Sequence, residues 1–153
     1  MAEMGDMVID SIFLAVDSYL DGTNTKGKVL QLSDAIRNKY FEVEDLTFDM
    51  LLKYQPVADD FRFIRSSTEI SYAFSRFGRY AYDITLVRDL FGDISECKNA
   101  SLVESSKKVK HMIRESIMSF AELDVRKAAK IREDERFIDR IYKDRLPKLI
   151  ESK

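Results

Sequence analysis

The chain has 153 residues, of which 45% are hydrophobic and 34% charged, with five glycines and two prolines. This length suits a single domain with a real hydrophobic core, and so few glycines and prolines favour helices over sheets. The net charge of −2 supplies no basic field for nucleic acid, so we expect no nucleic-acid partner.

A single cysteine, Cys97, excludes an internal disulfide and a cysteine-based zinc site, and it fits a reducing compartment. We interpret it as a surface or half-buried thiol in a loop. No stretch approaches the roughly 18–20 uninterrupted apolar residues of a membrane span. We therefore expect a cytoplasmic protein without direct membrane insertion.

Hydrophobic periodicity predicts five amphipathic helices, the first two at about residues 3–20 and 28–54. A polar segment with two glycines separates them at residues 21–27. The seven-residue repeat of the second helix indicates nearly antiparallel, left-handed packing. The predicted core face of the first helix includes Met4, Val8, Ile12, Ala15, Val16 and Tyr19. That of the second helix consists of Val29, Leu32, Ile36, Val43, Leu46 and Met50.

The longest predicted helix lies between Gln55 and Gly92. Pro56 cannot continue the second helix, but it suits the first turn of the third. Apolar residues three and four apart define the predicted core face, which consists of Phe63, Ile70, Phe74, Phe77, Ala81, Ile84 and Phe91.

The last two helices are predicted at about residues 101–121 and 124–149, after a polar break in which Asn99 or Ser101 is placed to cap the fourth helix. We expect Pro147 to kink the fifth helix or to end it early. The predicted face of the fourth helix consists of Val109, Met112, Ile113, Ile117 and Phe120. The face of the fifth consists of Ala128, Ile131, Ile138, Ile141, Tyr142, Leu146 and Leu149.

Two segments at and within the third helix carry distinctive motifs. Residues 55–62 read QPVADDFR, and residues 75–84 read SRFGRYAYDI. The first resembles the QPVAxDLR segment of the PhoU family of phosphate-signalling proteins, and the second lies where that family has ERIGDxAxxIA. The resemblance implies an archaeal-like variant of an all-α fold built from two tandem three-helix repeats.

Apolar positions of the fourth and fifth helices also echo those of the first and second. Val8 matches Val109, and Ile36 matches Ile138. Any two amphipathic helices can show such matches, but the family's tandem repeats support them. We therefore expect one domain over residues 1–153, with a complete first repeat at 1–92 and an incomplete second repeat at 101–153 that lacks the sixth helix.

A missing sixth helix leaves the apolar faces of the fourth and fifth helices without their third partner. Monomers rarely expose large apolar patches. The hairpin then packs on the first three helices, or a second copy covers it, or the sixth helix lies outside this sequence. Of these arrangements we expect a homodimer.

In many PhoU-type proteins the ERIGD motif carries two carboxylates that bind iron or zinc clusters. Here the corresponding residues are Ser75 and Arg79. A guanidinium cannot ligate a cation and repels one, so we expect the family's metal site to be lost and no cofactor to be bound. Among the acidic pairs four residues apart, Asp45 and Asp49 are weak metal candidates, because such pairs usually lie on solvated helix faces.

Arg65, Arg76 and Arg79 lie on a second, polar stripe of the third helix. Guanidinium groups bind phosphate or carboxylate in bidentate fashion, so the stripe is a candidate surface for an anion or an acidic partner. The alternative is a network of salt bridges within the bundle.

The resemblance implies a non-enzymatic regulator that restrains phosphate uptake or phosphate signalling through contact with a transporter ATPase or a sensor kinase. The residues agree, since the chain has one histidine, no G-x-S-x-G motif and no glycine-rich phosphate loop. Two alternatives stay open: a regulatory subunit of another ion-transport system, such as a potassium system, and a metal-binding helical bundle.

Overall fold

The computed structural model describes residues 1–92 and 100–151, and within them all regular structure is α-helical. The chain divides into two compact units, Met1–Ser95 and Glu96–Lys153. The helices are α1 (Ala2–Asp21), α2 (Lys26–Tyr54), α3 (Ala58–Phe91), α4 (Ala100–Ala121) and α5 (Val125–Glu151). The all-α fold is confirmed, and the five predicted helices begin within three residues of their expected positions. Cys97 and Asn99 lie outside the described residues.

Helix α1 buries the face that its periodicity predicts. Met4, Val8 and Ala15 are almost completely buried. Gly22 ends the helix with a φ of 75°, a left-handed conformation that glycine adopts without strain, and its N–H donates to the carbonyl of Ser18. The hydroxyl of Thr25 then donates to the carbonyl of Leu14 at 3.1 Å, which holds the turn against α1.

Helices α2 and α3 form an antiparallel hairpin, with α1 packed against both. Three cross-helix contacts define the register of α2 against α3. In an antiparallel pair, the numbers of opposite residues add up to a nearly constant sum, and these three contacts share such a sum. These contacts are the ion pair Lys26–Asp89, the edge-to-face rings Tyr40–Tyr72 and the hydrogen bond between the hydroxyls of Thr68 and Thr47.

The connection between α2 and α3 differs from the prediction. Gln55 ends α2 in a left-handed conformation with a φ of 46°, and Ala58 opens α3 with a φ of 51°. Pro56 therefore lies in the connection and not in the first turn of α3. The two left-handed residues, Gln55 and Ala58, reverse the direction of the chain, and Pro56 lies between them, before α3 begins.

Part of the predicted core face of α2 and α3 was wrong. Leu46 is 61% exposed and Phe63 is 52% exposed, whereas their neighbours Thr47 and Ile64 are buried. Phe74, by contrast, is buried as predicted. At the distal end of the hairpin, near the connection between α2 and α3, the error is a shift of one residue, because periodicity alone does not reveal which side of a helix meets its neighbour. Phe91, at the other end of α3, was also predicted in the core and is 74% exposed.

Small hydroxyl residues occupy much of the core in the first unit. Thr47, Ser67, Ser71 and Thr85 are all buried. The hydroxyls of Ser71 and Thr85 donate to carbonyls three residues earlier in their own helix, at 2.8 and 2.6 Å. Because the hydroxyls of Ser71 and Thr85 are satisfied within α3, they need no partner on a neighbouring helix, and their small volume lets the helices approach closely.

The two helices approach closely at Gly78. A methyl group built at this glycine would lie 3.1 Å from Cδ1 of Ile36 and 3.4 Å from the Cα of Ser33. Ile36 is itself fully buried. Only a residue without a side chain lets the α2 backbone lie this near α3.

In the second unit, α4 and α5 form an antiparallel hairpin. The carboxylate of Asp124 accepts hydrogen bonds from the N–H groups of Arg126 and Lys127 at 2.9 and 3.1 Å and so caps α5. Lys108 and Asp134 form an ion pair across the hairpin at 2.5 Å. Ile113 is buried as predicted.

One expectation for the second unit was wrong and two were met only in part. Tyr142, predicted on the core face, is 63% exposed. Helix α4 begins at Ala100, so Ser101 lies inside it, and the other predicted cap, Asn99, lies outside the described residues. Helix α5 continues through Pro147 to Glu151 and does not end early, while the alternative of a kink stays a prediction. The side chains of Leu146 and Leu149 lie outside the described part of the chain, and the relation between the two units as tandem repeats stays a prediction.

We expect Gly78→Val to lower the free energy of unfolding by about 1–3 kcal/mol relative to Gly27→Val, because overpacking of a close helix contact forces the neighbours apart. Gly27 is the matched control, since it also lies in a helix but has no atom within 4 Å of a built methyl group. Urea denaturation followed by helical circular dichroism measures the difference, and equal transition midpoints would contradict the close packing at Gly78.

Candidate functional site

An open groove of about 450 Å³ lies between α2 and α3. Both helices contribute residues spaced three and four apart, so each presents one continuous face to it. We call it the arginine groove. Its lining consists of Leu30, Ser33, Asp34 and Arg37 from α2, and of Ser75, Arg76, Arg79 and Tyr82 from α3.

The groove lies beside the close contact at Gly78. Ser75 and Arg79 lie three residues before and one residue after this glycine, and Ser33 lies opposite it on α2. All three residues line the groove, together with Arg37 and Arg76. The helix contact therefore brings three arginines from two helices to one groove.

Arg76 is positioned by an aromatic neighbour. Its guanidinium carbon lies 5.4 Å from the centroid of the Tyr80 ring, within the range of a cation–π interaction. The same guanidinium donates a hydrogen bond to the Tyr80 hydroxyl, and this bond raises the pKa of Arg76. Arg76 therefore stays charged, and part of its conformational freedom is already lost before any ligand binds.

The other two groove arginines carry local ion pairs. Nε of Arg79 donates to Asp83 at 3.2 Å, and Nη2 of Arg37 lies 3.3 Å from a carboxylate oxygen of Asp34. The side chains of the two arginines are 73% and 63% exposed. Ion pairs this exposed contribute at most about 1 kcal/mol, so an anion in the groove can compete with them.

Arg37 was not identified from the sequence. It belongs to the groove because the register of the hairpin places it opposite Arg76 and Arg79, and no pattern within α2 marks it. Arg65, which the sequence placed on the same stripe as Arg76 and Arg79, does not line the groove. It lies three turns earlier on α3 and pairs with Glu69 at 3.1 Å.

The residues at the family's metal motif do not fit a metal ion. The hydroxyl of Ser75 donates to the carbonyl of Tyr72 at 2.8 Å, and Arg79 places a cation paired with Asp83 at the second position. Asp45 and Asp49 are exposed, and Asp49 pairs with Lys53 at 2.5 Å. Within residues 1–92 and 100–151 the structure gathers no group of three or more histidine, cysteine or acidic side chains able to hold a metal.

A second groove, of about 380 Å³, lies between α4 and α5 and contains the single histidine. Its lining is Glu104, Lys107, Lys108, His111 and Phe137. Lysines and an acid are mixed here, a pattern typical of a solvated helix face.

Within the described ranges, no helix has the length and apolar content needed to cross a membrane.

Comparisons with known proteins agree with the motifs. The PhoU domain family matches residues 1–86, which is more than half of the chain. A curated relative from Methanothermobacter thermautotrophicus, named phosphate-specific transport system accessory protein PhoU homolog 1, is 26% identical over 145 residues.

That alignment covers 93% of this chain and 66% of the relative, so the chain spans just under two thirds of the relative's length. No solved structure matches the chain. The fold, the QPVADDFR segment and the family match over the first unit lead to one conclusion: the chain belongs to the PhoU domain family.

Proposed function

We propose that this chain is a non-enzymatic regulator that restrains phosphate uptake or phosphate signalling by direct contact with a transporter ATPase or a sensor kinase in the cytoplasm. The family match over residues 1–86 carries the proposal. The printed name of the archaeal relative, an accessory protein of a phosphate-specific transport system, supports it.

The chemistry of the chain supports a binding role over catalysis. Its most distinctive groove is lined by charged, exposed side chains and offers donors, but no nucleophile paired with a base. Arginines in such a setting recognise anions and acidic surfaces. The first unit therefore presents a charged surface of the kind that regulation by protein contact uses.

Removal of the gene from the native host is expected to raise uptake of radiolabelled phosphate several-fold under phosphate-rich conditions. The whole chain supplied in trans is expected to restore the restraint, and a tagged copy is expected to co-purify with the transporter ATPase or the sensor kinase. Potassium uptake measured in the same strains is the control. Unchanged phosphate uptake together with altered potassium uptake would overturn the proposal and favour another transport system.

We expect the purified chain to retain far less than one equivalent of iron or zinc after incubation and desalting, measured by elemental mass spectrometry. The physical reason is the cation at Arg79, which repels a metal ion. The variant Ser75→Glu/Arg79→Asp restores two carboxylates one helical turn apart and is expected to retain more metal. A stoichiometric metal in the unmodified chain would contradict the loss of the family site.

We also propose that two copies of the chain associate through the distal end of the α2–α3 hairpin. Seven large apolar residues there are 37–76% exposed. Monomers rarely expose this many large apolar side chains at one end of a hairpin, and a second copy of the chain would cover part of them. These residues are Leu46, Phe48, Met50, Leu52, Tyr54, Val57 and Phe61.

Light scattering at tens of micromolar is expected to give the mass of a dimer, and Phe48→Asp/Leu52→Asp is expected to give a monomer, because two charges cannot be buried in an apolar interface. Leu123→Asp/Val125→Asp is the matched control, since these residues are 70% and 80% exposed and lie in the second unit, Leu123 in the turn before α5 and Val125 at its first position. A monomeric unmodified chain, or equal effects of the two double variants, would overturn this arrangement.

A further inference from the structure

We propose that the arginine groove is a binding site for a phosphoryl dianion, taken either as free phosphate or as the phosphate of a small ester. The inference extends the proposed regulatory function by assigning a ligand to the groove. Only the biological role of that ligand rests on the proposed function. The chemical argument depends on the charges, the geometry and the size of the groove.

The charges in the groove favour an anion. Arg37, Arg76 and Arg79 line it, and the carboxylates that pair with them are Asp34 and Asp83. Three positive charges against two negative charges leave one in excess. Each carboxylate is about half exposed, at 54% for Asp34 and 47% for Asp83, so it can turn to solvent when a ligand replaces it.

The geometry is partly preorganised. Tyr80 holds Arg76 through its ring and its hydroxyl, so one donor group is oriented before binding. The close contact at Gly78 sets how near the α2 arginine comes to the two α3 arginines. Because the three arginines lie on two helices packed at this contact, the ligand meets donors from two elements and not from one loop.

Three guanidinium groups suit a phosphoryl group better than a carboxylate. A phosphoryl group has three terminal oxygens and up to two negative charges, so it can accept paired hydrogen bonds from more than one arginine. A carboxylate has two oxygens and one charge, and one bidentate arginine already satisfies it. The number of arginines therefore favours phosphate over an acidic side chain.

The groove is large enough for a phosphate ester as well as for free phosphate. Its volume of about 450 Å³ lies within the range of small-molecule sites, roughly 300–1,000 Å³, and exceeds what one phosphate fills. Leu30 and Tyr82 provide an apolar wall beside the arginines. A phosphate monoester could place its phosphate on the arginines and its organic part against this wall.

Isothermal titration calorimetry on the full-length chain at constant ionic strength tests the inference with two probes, inorganic phosphate and adenosine monophosphate. We expect saturable binding of at least one probe. Arg76→Gln, Arg79→Gln and Arg37→Gln are each expected to weaken that binding roughly tenfold or more, since each removes a hydrogen bond to a charged group.

Arg65→Gln is a closely matched control for Arg79→Gln. Both arginines lie on α3, and each donates from Nε to an acidic side chain four residues later, at 3.1 and 3.2 Å. Loss of either ion pair therefore has a similar effect on stability, and thermal unfolding is expected to show this. Arg65→Gln is expected to leave phosphate binding unchanged because Arg65 is outside the groove.

Binding of inorganic phosphate alone identifies the ion as the ligand, and binding of adenosine monophosphate alone identifies an ester, so either result supports the inference. No saturable binding of either probe overturns it, as does an equal loss of affinity in Arg65→Gln. Phosphate binding without any change in uptake on gene removal would keep this inference and overturn the regulatory function. Altered uptake with no binding of either probe would keep the regulatory function and overturn this inference.

Discussion

The close contact of α2 and α3 at Gly78 is the constraint on which the rest of the first unit depends. A side chain at this position would meet Ile36 and the backbone of Ser33. On both sides of it lie buried hydroxyl residues, Ser71 and Thr85, whose hydroxyls bond within their own helix. Small side chains satisfied in this way let helices approach closely without burying unsatisfied polar groups. At the edge of the contact, charged side chains line a groove.

The arginine groove lies at this edge, and its residues differ from those of the family motif that the sequence resembles. Where that motif carries two carboxylates, this chain has Ser75 and Arg79, while Gly78 between them is kept. The proposed anion site would therefore occupy a position at which the family motif implies a cation site. Such an exchange is physically possible because the packing residue, Gly78, and the residues that face a ligand are separate positions.

The two units differ in the features that they contain. The family match falls on residues 1–86, within the first unit, which also contains the groove and the exposed hairpin end. The second unit is a capped two-helix hairpin with a mixed-charge surface. The alignment with the archaeal relative extends over most of both units, so the second unit belongs to the shared sequence as well.

The sequence by itself determined the five helices, their polar breaks and the family, since apolar spacing, glycine and a specific motif act over short distances. It also identified Ser75, Arg76 and Arg79. The tertiary structure alone decided that Arg37 joins them, that Arg65 does not line the groove, and that Thr47 and Ile64 are buried while Leu46 and Phe63 are exposed. The physical reason is that a helix can turn several adjacent faces inward. Which face is buried depends on the register of the neighbouring helix, and that register was set by a glycine contact between residues more than forty positions apart.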